Sequence, residues 1–261
     1  MSLISNYIKN KNVRGEKILS IFLTSGFPDK NNFTKLALNI LDSGADILEI
    51  GFPFSDPLAD GPTIQHSSYL SLQNGINIEK TFSFVEAIRK ETEKPIILMG
   101  YANPVLSYDV NKFALNAISC GVNGVIIPDV PIDEYEGFFN KSFDGLEVIL
   151  LATPTTPEER IKKIDKLSQG FLYYVSITGT TGKQILHKDK TINQLKKTST
   201  LVKKNPLLVG FGISTPEDVK LFFPYCSGVI VGSAIIKSLM SDGSDYKNSL
   251  KLVRKLKEAL N

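Results

Sequence analysis

The chain has 261 residues, 42% of them hydrophobic and 22% charged, an ordinary globular composition with enough apolar material for a sizeable core. Its 30 Lys+Arg against 27 Asp+Glu leave a net charge of +3 with no basic stripe interleaved with aromatics, which argues against nucleic acid as a partner. No uninterrupted run of about 18 apolar residues occurs, so no membrane span is expected, and the N-terminal segment lacks the apolar stretch of a secretory leader.

Met1 to Asn12 places Leu3, Ile4, Tyr7 and Ile8 at helical spacing and predicts an N-terminal helix. Ile18 to Leu23 reads as a buried strand closed by Thr24-Ser25-Gly26-Phe27-Pro28, and Asn31 to Leu41 as a helix ending at Gly44. A second strand, Asp46 to Ile50, breaks into the Pro- and Gly-rich loop Gly51 to Gly61. Thr63 to Leu72 and Ile78 to Ile88 have helical spacing, Pro95 to Met99 is a third strand, and Asn111 to Cys120 a helix stopped by Gly121. Gly124 to Ile127 is the fourth strand, followed by a short helix in Ile132 to Phe139. Glu147 to Leu151 is the fifth, with a helix carrying Ile161, Ile164 and Leu167. Phe171 to Val175 is the sixth, and the polar loop Ser176 to Gln184 leads to a helix over Ile192 to Val202. Leu207 to Val209 and Val229 to Val231 are the seventh and eighth, with helices over Pro216 to Leu221 and from about Asp245 to Leu260.

Eight apolar runs, each followed by a helical pattern and with no linker-like tract between them, predict an α/β fold. Its expected form is one (β/α)₈ TIM barrel over residues 1–261 with an extra N-terminal helix; a doubly wound sheet is the alternative. The isolated Cys120 and Cys226 read as packing thiols in a reducing compartment. A cytoplasmic location fits, or a plastid stroma if the bias towards Lys, Asn and Ile reflects AT-rich organellar coding.

Three constellations fall at predicted C-terminal ends of strands, where a barrel carries its chemistry. Glu49 ends the second strand and Asp60 lies on the loop after it. A Glu projecting into a barrel mouth is partly desolvated, which raises its pKa towards neutrality and suits proton transfer. An ionised Asp beside it accepts a hydrogen bond from a ring N–H. The alternative is that Glu49 points outward and Asp60 only caps the next helix. The turns Gly210-Phe211-Gly212-Ile213-Ser214 and Val231-Gly232-Ser233-Ala234 let backbone N–H groups approach an anion. Otherwise they are tight strand-to-helix turns. The loop Ser176 to Gln184 is either a lid, with Thr181 and Gly182 nearest the chemistry, or a plain surface loop. His66 and His187 lack partners at ligand spacing and suggest no metal. The cluster Asp129, Asp133, Glu134 and Glu136 reads as an exposed helix start.

The stretch Leu48-Glu49-Ile50-Gly51-Phe52-Pro53-Phe54-Ser55-Asp56-Pro57-Leu58-Ala59-Asp60-Gly61-Pro62-Thr63-Ile64-Gln65 resembles the signature of the tryptophan synthase alpha subunit family. Met99-Gly100-Tyr101-Ala102-Asn103-Pro104, Pro128-Asp129-Val130-Pro131, Gly179-Thr180-Thr181-Gly182 and the turns at 210–214 and 231–234 follow in the family's order. The resemblance implies a barrel that cleaves indole-3-glycerol phosphate to indole and glyceraldehyde 3-phosphate by a retro-aldol reaction. It puts the general acid/base on Glu49, the carboxylate for the indole N–H on Asp60, and a positioning phenol on Tyr173. Phe22, Ile64, Met99, Ile126 and Phe211 would line the indole slot, and Gly182, Gly212, Gly232 and Ser233 would hold the phosphate, with Thr181 beside them.

The family also implies an alpha2-beta2 complex in which indole passes to a beta subunit carrying pyridoxal phosphate, with no cofactor in this chain. The docking face would carry the loop Pro53 to Asp60 with Asn103, Pro104 and Pro131. Ile177 departs from the pattern, standing where some members carry Arg. Two other readings share the residues: a stand-alone indole-3-glycerol phosphate lyase, and a non-enzymatic phosphate-binding barrel, which the intact Glu49 and Asp60 argue against.

Overall fold

The computed structural model of the chain describes residues 2–176 and 188–260. Nine parallel strand segments are described: β1 (Ile18–Thr24), β2 (Ile47–Gly51), β3 (Ile96–Met99), β4 (Gly124–Ile126), β5 (Glu147–Val148), β6 (Leu150–Ala152), β7 (Leu172–Val175), β8 (Leu207–Gly210) and β9 (Gly228–Val231). They bond in the order β5-β4-β3-β2-β1-β9-β8-β7-β6. The two ends of that row, β5 and β6, are separated in the chain only by Ile149, so the row closes on itself as a (β/α)₈ barrel. The expected fifth strand, Glu147 to Leu151, is therefore one barrel strand in two segments. Its first half pairs with β4 and its second with β7. At the changeover the Ile149 N–H still donates to the Val125 carbonyl at 2.9 Å, whereas the Leu150 N–H turns to the Ser168 hydroxyl at 3.0 Å.

Alternation along the strands sorts two cores. On β1, Leu19, Ile21 and Leu23 point outward against the helices, with Phe33, Leu36 and Ile40 of the helix Phe33–Asp42 in the same cluster. Ile18 belongs instead to the barrel interior with Ile47, Ile97, Ile126, Ile149, Phe171, Tyr173 and Leu208. Strands covered on both faces are apolar at nearly every position, which is why they stand out as continuous runs in the sequence.

The N-terminal helix, Leu3–Val13, plugs one end of the barrel. Its Ile4 and Ile8 are fully buried in the interior cluster, each burial contributing roughly 2 kcal/mol of transfer free energy. Glu147, at the N-terminal end of β5, accepts from the Ser2 hydroxyl at 2.7 Å and from the Ile4 N–H at 3.0 Å, placing a carboxylate where the helix dipole is positive. Just before β2, the buried Asp46 accepts from the Leu19 N–H at 2.9 Å and pairs with Lys257 at 2.7 Å. The charges at this end close the barrel; the C-terminal ends of the strands stay open.

Two local readings change. Ala102–Tyr108 is a helix that the periodicity did not mark, because Asn103 and Pro104 occupy its first turn. Its Ala102 N–H donates to the Asp129 carboxylate at 2.9 Å, so Asp129 supports the helix of the preceding unit rather than starting its own. The expected helix over Ile132 to Phe139 is a 3₁₀ turn, Ile132–Glu134, running into a single α turn, Tyr135–Phe138.

Candidate active site at the barrel mouth

Glu49 is the one carboxylate that β2 directs into the barrel, between Ile47 and Gly51 on the inward face. Phe22 of β1 and Ile97 of β3 stand opposite it in register. The residue is fully buried; its Oε1 accepts from the Ser20 hydroxyl of β1 at 2.7 Å, and its Oε2 has no hydrogen-bond partner among the described residues. Burial disfavours the charged form and pushes the carboxyl up to about 7, against a smaller opposing pull from Ser20. The expectation of a desolvated, inward Glu49 holds, and the outward alternative does not.

Tyr173 of β7 faces the same space. Burial, then the charges of Glu49 and Asp60, raise its phenol well above the ordinary value, so it keeps its proton through the neutral range. A Cβ on Gly210 would lie 2.3 Å from its hydroxyl, so the bare backbone at the end of β8 makes room for the phenol. Phe211 packs edge-on against the same ring, with centroids 6.0 Å apart.

Asp60 is half-buried on the loop between β2 and the helix Pro62–Gln73. Its N–H closes a turn onto the Pro57 carbonyl at 3.0 Å, and its carbonyl accepts from the Gln65 side chain at 2.8 Å. Tyr101, just past β3, donates to its Oδ2 at 3.0 Å and accepts from the Ala59 N–H at 3.1 Å. One phenol thus anchors both the loop and its carboxylate. Burial pushes Asp60 up to about 6, partly offset by that phenol. Tyr101 lies inside a motif visible in the sequence, but its partners are about forty residues away and local pattern does not reveal them.

The third part is a pair of glycine turns after β8 and β9. Phe211 and Gly212 both have left-handed backbones, with φ of 71° and 72°. For the phenylalanine this conformation costs on the order of 1–3 kcal/mol, a kind of strain that clusters at functional sites. The Ser176 hydroxyl holds it by bonding to the Gly210 carbonyl at 2.9 Å and to the Phe211 carbonyl. Across the mouth, β9 runs into Gly232 and the helix Ser233–Ser241, which has neither a capping side chain nor an acidic residue in its first turn. Its first internal bond is from the Ile236 N–H to the Gly232 carbonyl at 3.0 Å, so the N–H groups before it point out of the helix end. A phosphate fits there by hydrogen bonding and by the helix dipole.

These parts share one cavity of about 420 Å³. Of the expected residues, Phe22, Glu49, Asp60, Ile64, Met99, Tyr173, Phe211, Gly212, Gly232 and Ser233 line it. Ile126 is fully buried in the barrel interior and is not among the residues lining this cavity. Ser214 lines it as part of the 210–214 turn, and Thr63, Ile230, Lys237 and Met240 line the cavity without having been expected. Lys237 follows Ser233 by one helical turn, a spacing that places a cation at the phosphate end. Thr181, Gly182, Ile177, His187 and the expected lid beyond Ser176 lie outside the described residues. His66 is exposed on the helix Pro62–Gln73, as its neighbours Ser67 and Ser68 are not. Among the described residues no group of three His, Cys, Asp or Glu is arranged to hold a metal ion.

The cavity is apolar around its two carboxyls and lined by glycine, serine and lysine at its far side. Crystals grown in sulfate are expected to carry the anion between residues 211–214 and 232–234. Full density for sulfate elsewhere and none at this turn pair would assign the glycines to turn geometry alone.

A mouth of this kind belongs to the (β/α)₈-barrel enzymes that hold a substrate by its phosphate and move protons at its other end. The family model of the tryptophan synthase alpha chain matches residues 8–261. The tryptophan synthase alpha chain of Petrotoga mobilis is 41% identical over 264 residues, covering 100% of this chain and 99% of the relative. That of Geotalea uraniireducens is 45% identical over 238 residues, covering 91% and 89%. The crystal structure of tryptophan synthase subunit alpha from Legionella pneumophila superposes with a TM-score of 0.90 at 34% identity, covering 100% of this chain and 98% of that one. A chain of the aminoacrylate-bound tryptophan synthase from M. tuberculosis gives 0.89 at 28% identity, with 100% of both chains covered. The chain belongs to the tryptophan synthase alpha chain family. By family it is a lyase that cleaves indole-3-glycerol phosphate.

Proposed function

We propose that Glu49 and Asp60 divide this retro-aldol cleavage between them. Protonated Glu49 delivers its proton to indole C3, which turns the ring into an indolenine-like cation, while ionised Asp60 accepts the ring N–H and stabilises the positive charge. Glu49, now a carboxylate, takes the proton from the side-chain hydroxyl next to C3. The C–O bond becomes an aldehyde, the carbon–carbon bond breaks, and its electrons restore the aromatic ring. Glu49 ends protonated, as it began. The net change is one proton moved from oxygen to carbon, and the products are indole and glyceraldehyde 3-phosphate. Tyr173 positions Glu49 and the substrate, Phe22, Ile64, Met99 and Phe211 clasp the indole, and the 211–214 and 232–234 turns hold the phosphate together with Thr181 and Gly182. The single observation that carries this reading is the unpartnered, buried Oε2 of a carboxyl poised near neutrality in the same cavity as Asp60.

The signs of the two shifts set the pH dependence. Asp60 must be ionised, so kcat/KM falls as pH drops through about 6. Glu49 must start protonated, so it also falls as pH rises through about 7. The expected profile of indole formation is a narrow bell between these values, kcat/KM reporting the free enzyme. The substrate phosphate titrates near 6 as well, which makes the alkaline limb the diagnostic one. A flat rate from pH 6 to 9 would remove Glu49 from the acid's role.

Members of this family work with a beta subunit. In this chain the proposed docking face is the loop Pro53 to Asp60 with Asn103, Pro104 and Pro131. Leu58 at the loop tip is 87% exposed and Leu106 on the neighbouring helix is 59% exposed, apolar surface suited to a partner. In an alpha2-beta2 complex indole would pass directly to the partner, whose pyridoxal phosphate completes tryptophan synthesis in the cytoplasm or a plastid stroma; this chain would need no cofactor. No helix of the described residues is long and apolar enough to cross a membrane. Indole formation from indole-3-glycerol phosphate, measured with and without a beta subunit, tests the whole reading. Stimulation by the partner supports it, and high turnover indifferent to the partner would make the chain a stand-alone lyase.

A further inference from the structure

We infer that Ser20 is a positioning residue for the cleavage: its hydroxyl fixes Oε1 of Glu49 as a permanent acceptor and thereby confines the transferable proton to Oε2. The inference rests on the reading of Glu49 as the proton carrier. Ser20 lies on β1 two residues before Phe22, on the inward face, and is fully buried. Its hydroxyl meets Glu49 Oε1 at 2.7 Å, while Oε2 is buried without a partner among the described residues.

Hydrogen-bond inventory decides the polarity. A serine hydroxyl carries one proton, and an ionised carboxylate can only accept. When Glu49 is charged, Ser20 must therefore donate to Oε1. Were Glu49 then to take its proton on Oε1, Ser20 would have to turn round and accept, stranding its own buried O–H with no acceptor, at a cost comparable to a lost hydrogen bond. With the proton on Oε2, the same Ser20 donation survives in both charge states. No side chain needs to rotate between the two half-reactions, and the oxygen that acts as acid and then as base is one and the same.

Among the described residues the surroundings of Glu49 offer no substitute for this donor. Phe22, Ile47, Ile97 and Met99 from β1, β2 and β3 are apolar, and the titratable groups sharing the space are Tyr173 of β7, Asp60 of the loop and Lys237 at the phosphate end. Tyr173 is the nearest in kind, but no hydrogen bond joins it to Glu49 among the described residues.

The test is Ser20→Ala and the nearly isosteric Ser20→Cys, each assayed for kcat, KM and the pH profile of indole formation. Loss of one bond to a charged group predicts a fall in kcat of about tenfold, with KM for indole-3-glycerol phosphate within about twofold of wild type. The hydroxyl favours the ionised form of Glu49, so its removal moves the alkaline limb to higher pH, by about half a unit to one unit. Ser20→Thr, which restores a hydroxyl on the same carbon, is expected to recover both. Wild-type kcat with an unmoved limb in the Ala and Cys variants would overturn the inference, as would a rise in KM with the limb in place. Wild-type turnover by Glu49→Gln would instead overturn the reading of Glu49 itself, so the two failures are told apart.

Discussion

Replacing Glu49 with glutamine is expected to lower the cleavage rate by about a thousandfold or more and, in the same variant, to stabilise the fold above neutral pH. The first half follows from the chemistry, since an amide neither delivers a proton to indole C3 nor removes one from the hydroxyl. The second follows from where the carboxyl sits. Burial that carries it from the ordinary 4.5 to about 7 means that its ionised form costs the folded state about 3 kcal/mol. Between those two pH values the folded chain holds a proton that the unfolded chain has released, so wild-type stability declines as pH rises through this window. Glutamine has no such proton and keeps both the shape and an acceptor for Ser20. The expected result is a melting temperature equal to wild type near pH 4.5 and higher by roughly 6–12 °C at pH 8. Equal melting curves at pH 8 would show that Glu49 is not desolvated as described, and near-wild-type cleavage would remove it from proton transfer.

That a stabilising substitution should be fatal to activity also explains what could be read from the chain beforehand. The barrel was legible because its strands are covered on both faces, which leaves continuous apolar runs, and Glu49 was legible as the carboxylate that interrupts one of them. The glycine turn after β8 was legible because few residues other than glycine reach φ near 72° without strain, and the one after β9 because a run of small residues opens a helix there. Contacts between distant segments were not. Tyr101 reaches Asp60 across the loop, Ser20 reaches Glu49 from the neighbouring strand, and Ile149 marks the point where a strand changes partners. Each depends on register, which a single sequence does not display. Ile126 shows what alternation does display: on β4 it turns inward and lies in the interior cluster. Lys237 was hidden for a simpler reason: it is one of the chain's many lysines, and only the closed barrel defines the orientation of its helix.

Asp60→Asn is expected to cost nearly as much activity as the change at Glu49, on the order of a hundredfold or more in kcat, while the fold, relieved of a desolvated charge, gains stability above about pH 6. Asparagine keeps the side-chain shape, and its carbonyl oxygen still accepts from Tyr101, so the turn closed by the Asp60 N–H onto Pro57 and the bond from Tyr101 to Ala59 remain. What disappears is the negative charge. A neutral amide can bond to the ring N–H but offers little against the cation formed when C3 is protonated, and in a water-poor cavity that difference falls on the transition state more than on bound substrate. The loss should therefore appear in kcat with KM nearly unchanged. Tyr101→Phe separates charge from anchoring. It leaves the carboxylate but removes the donor that opposes its burial, so the acid limb of kcat/KM should move to higher pH while the maximal rate falls less than in the asparagine variant. If Asp60→Asn instead cleaves indole-3-glycerol phosphate at close to the wild-type rate, the carboxylate serves the loop alone, and the charge on the protonated ring must be met from elsewhere in the cavity.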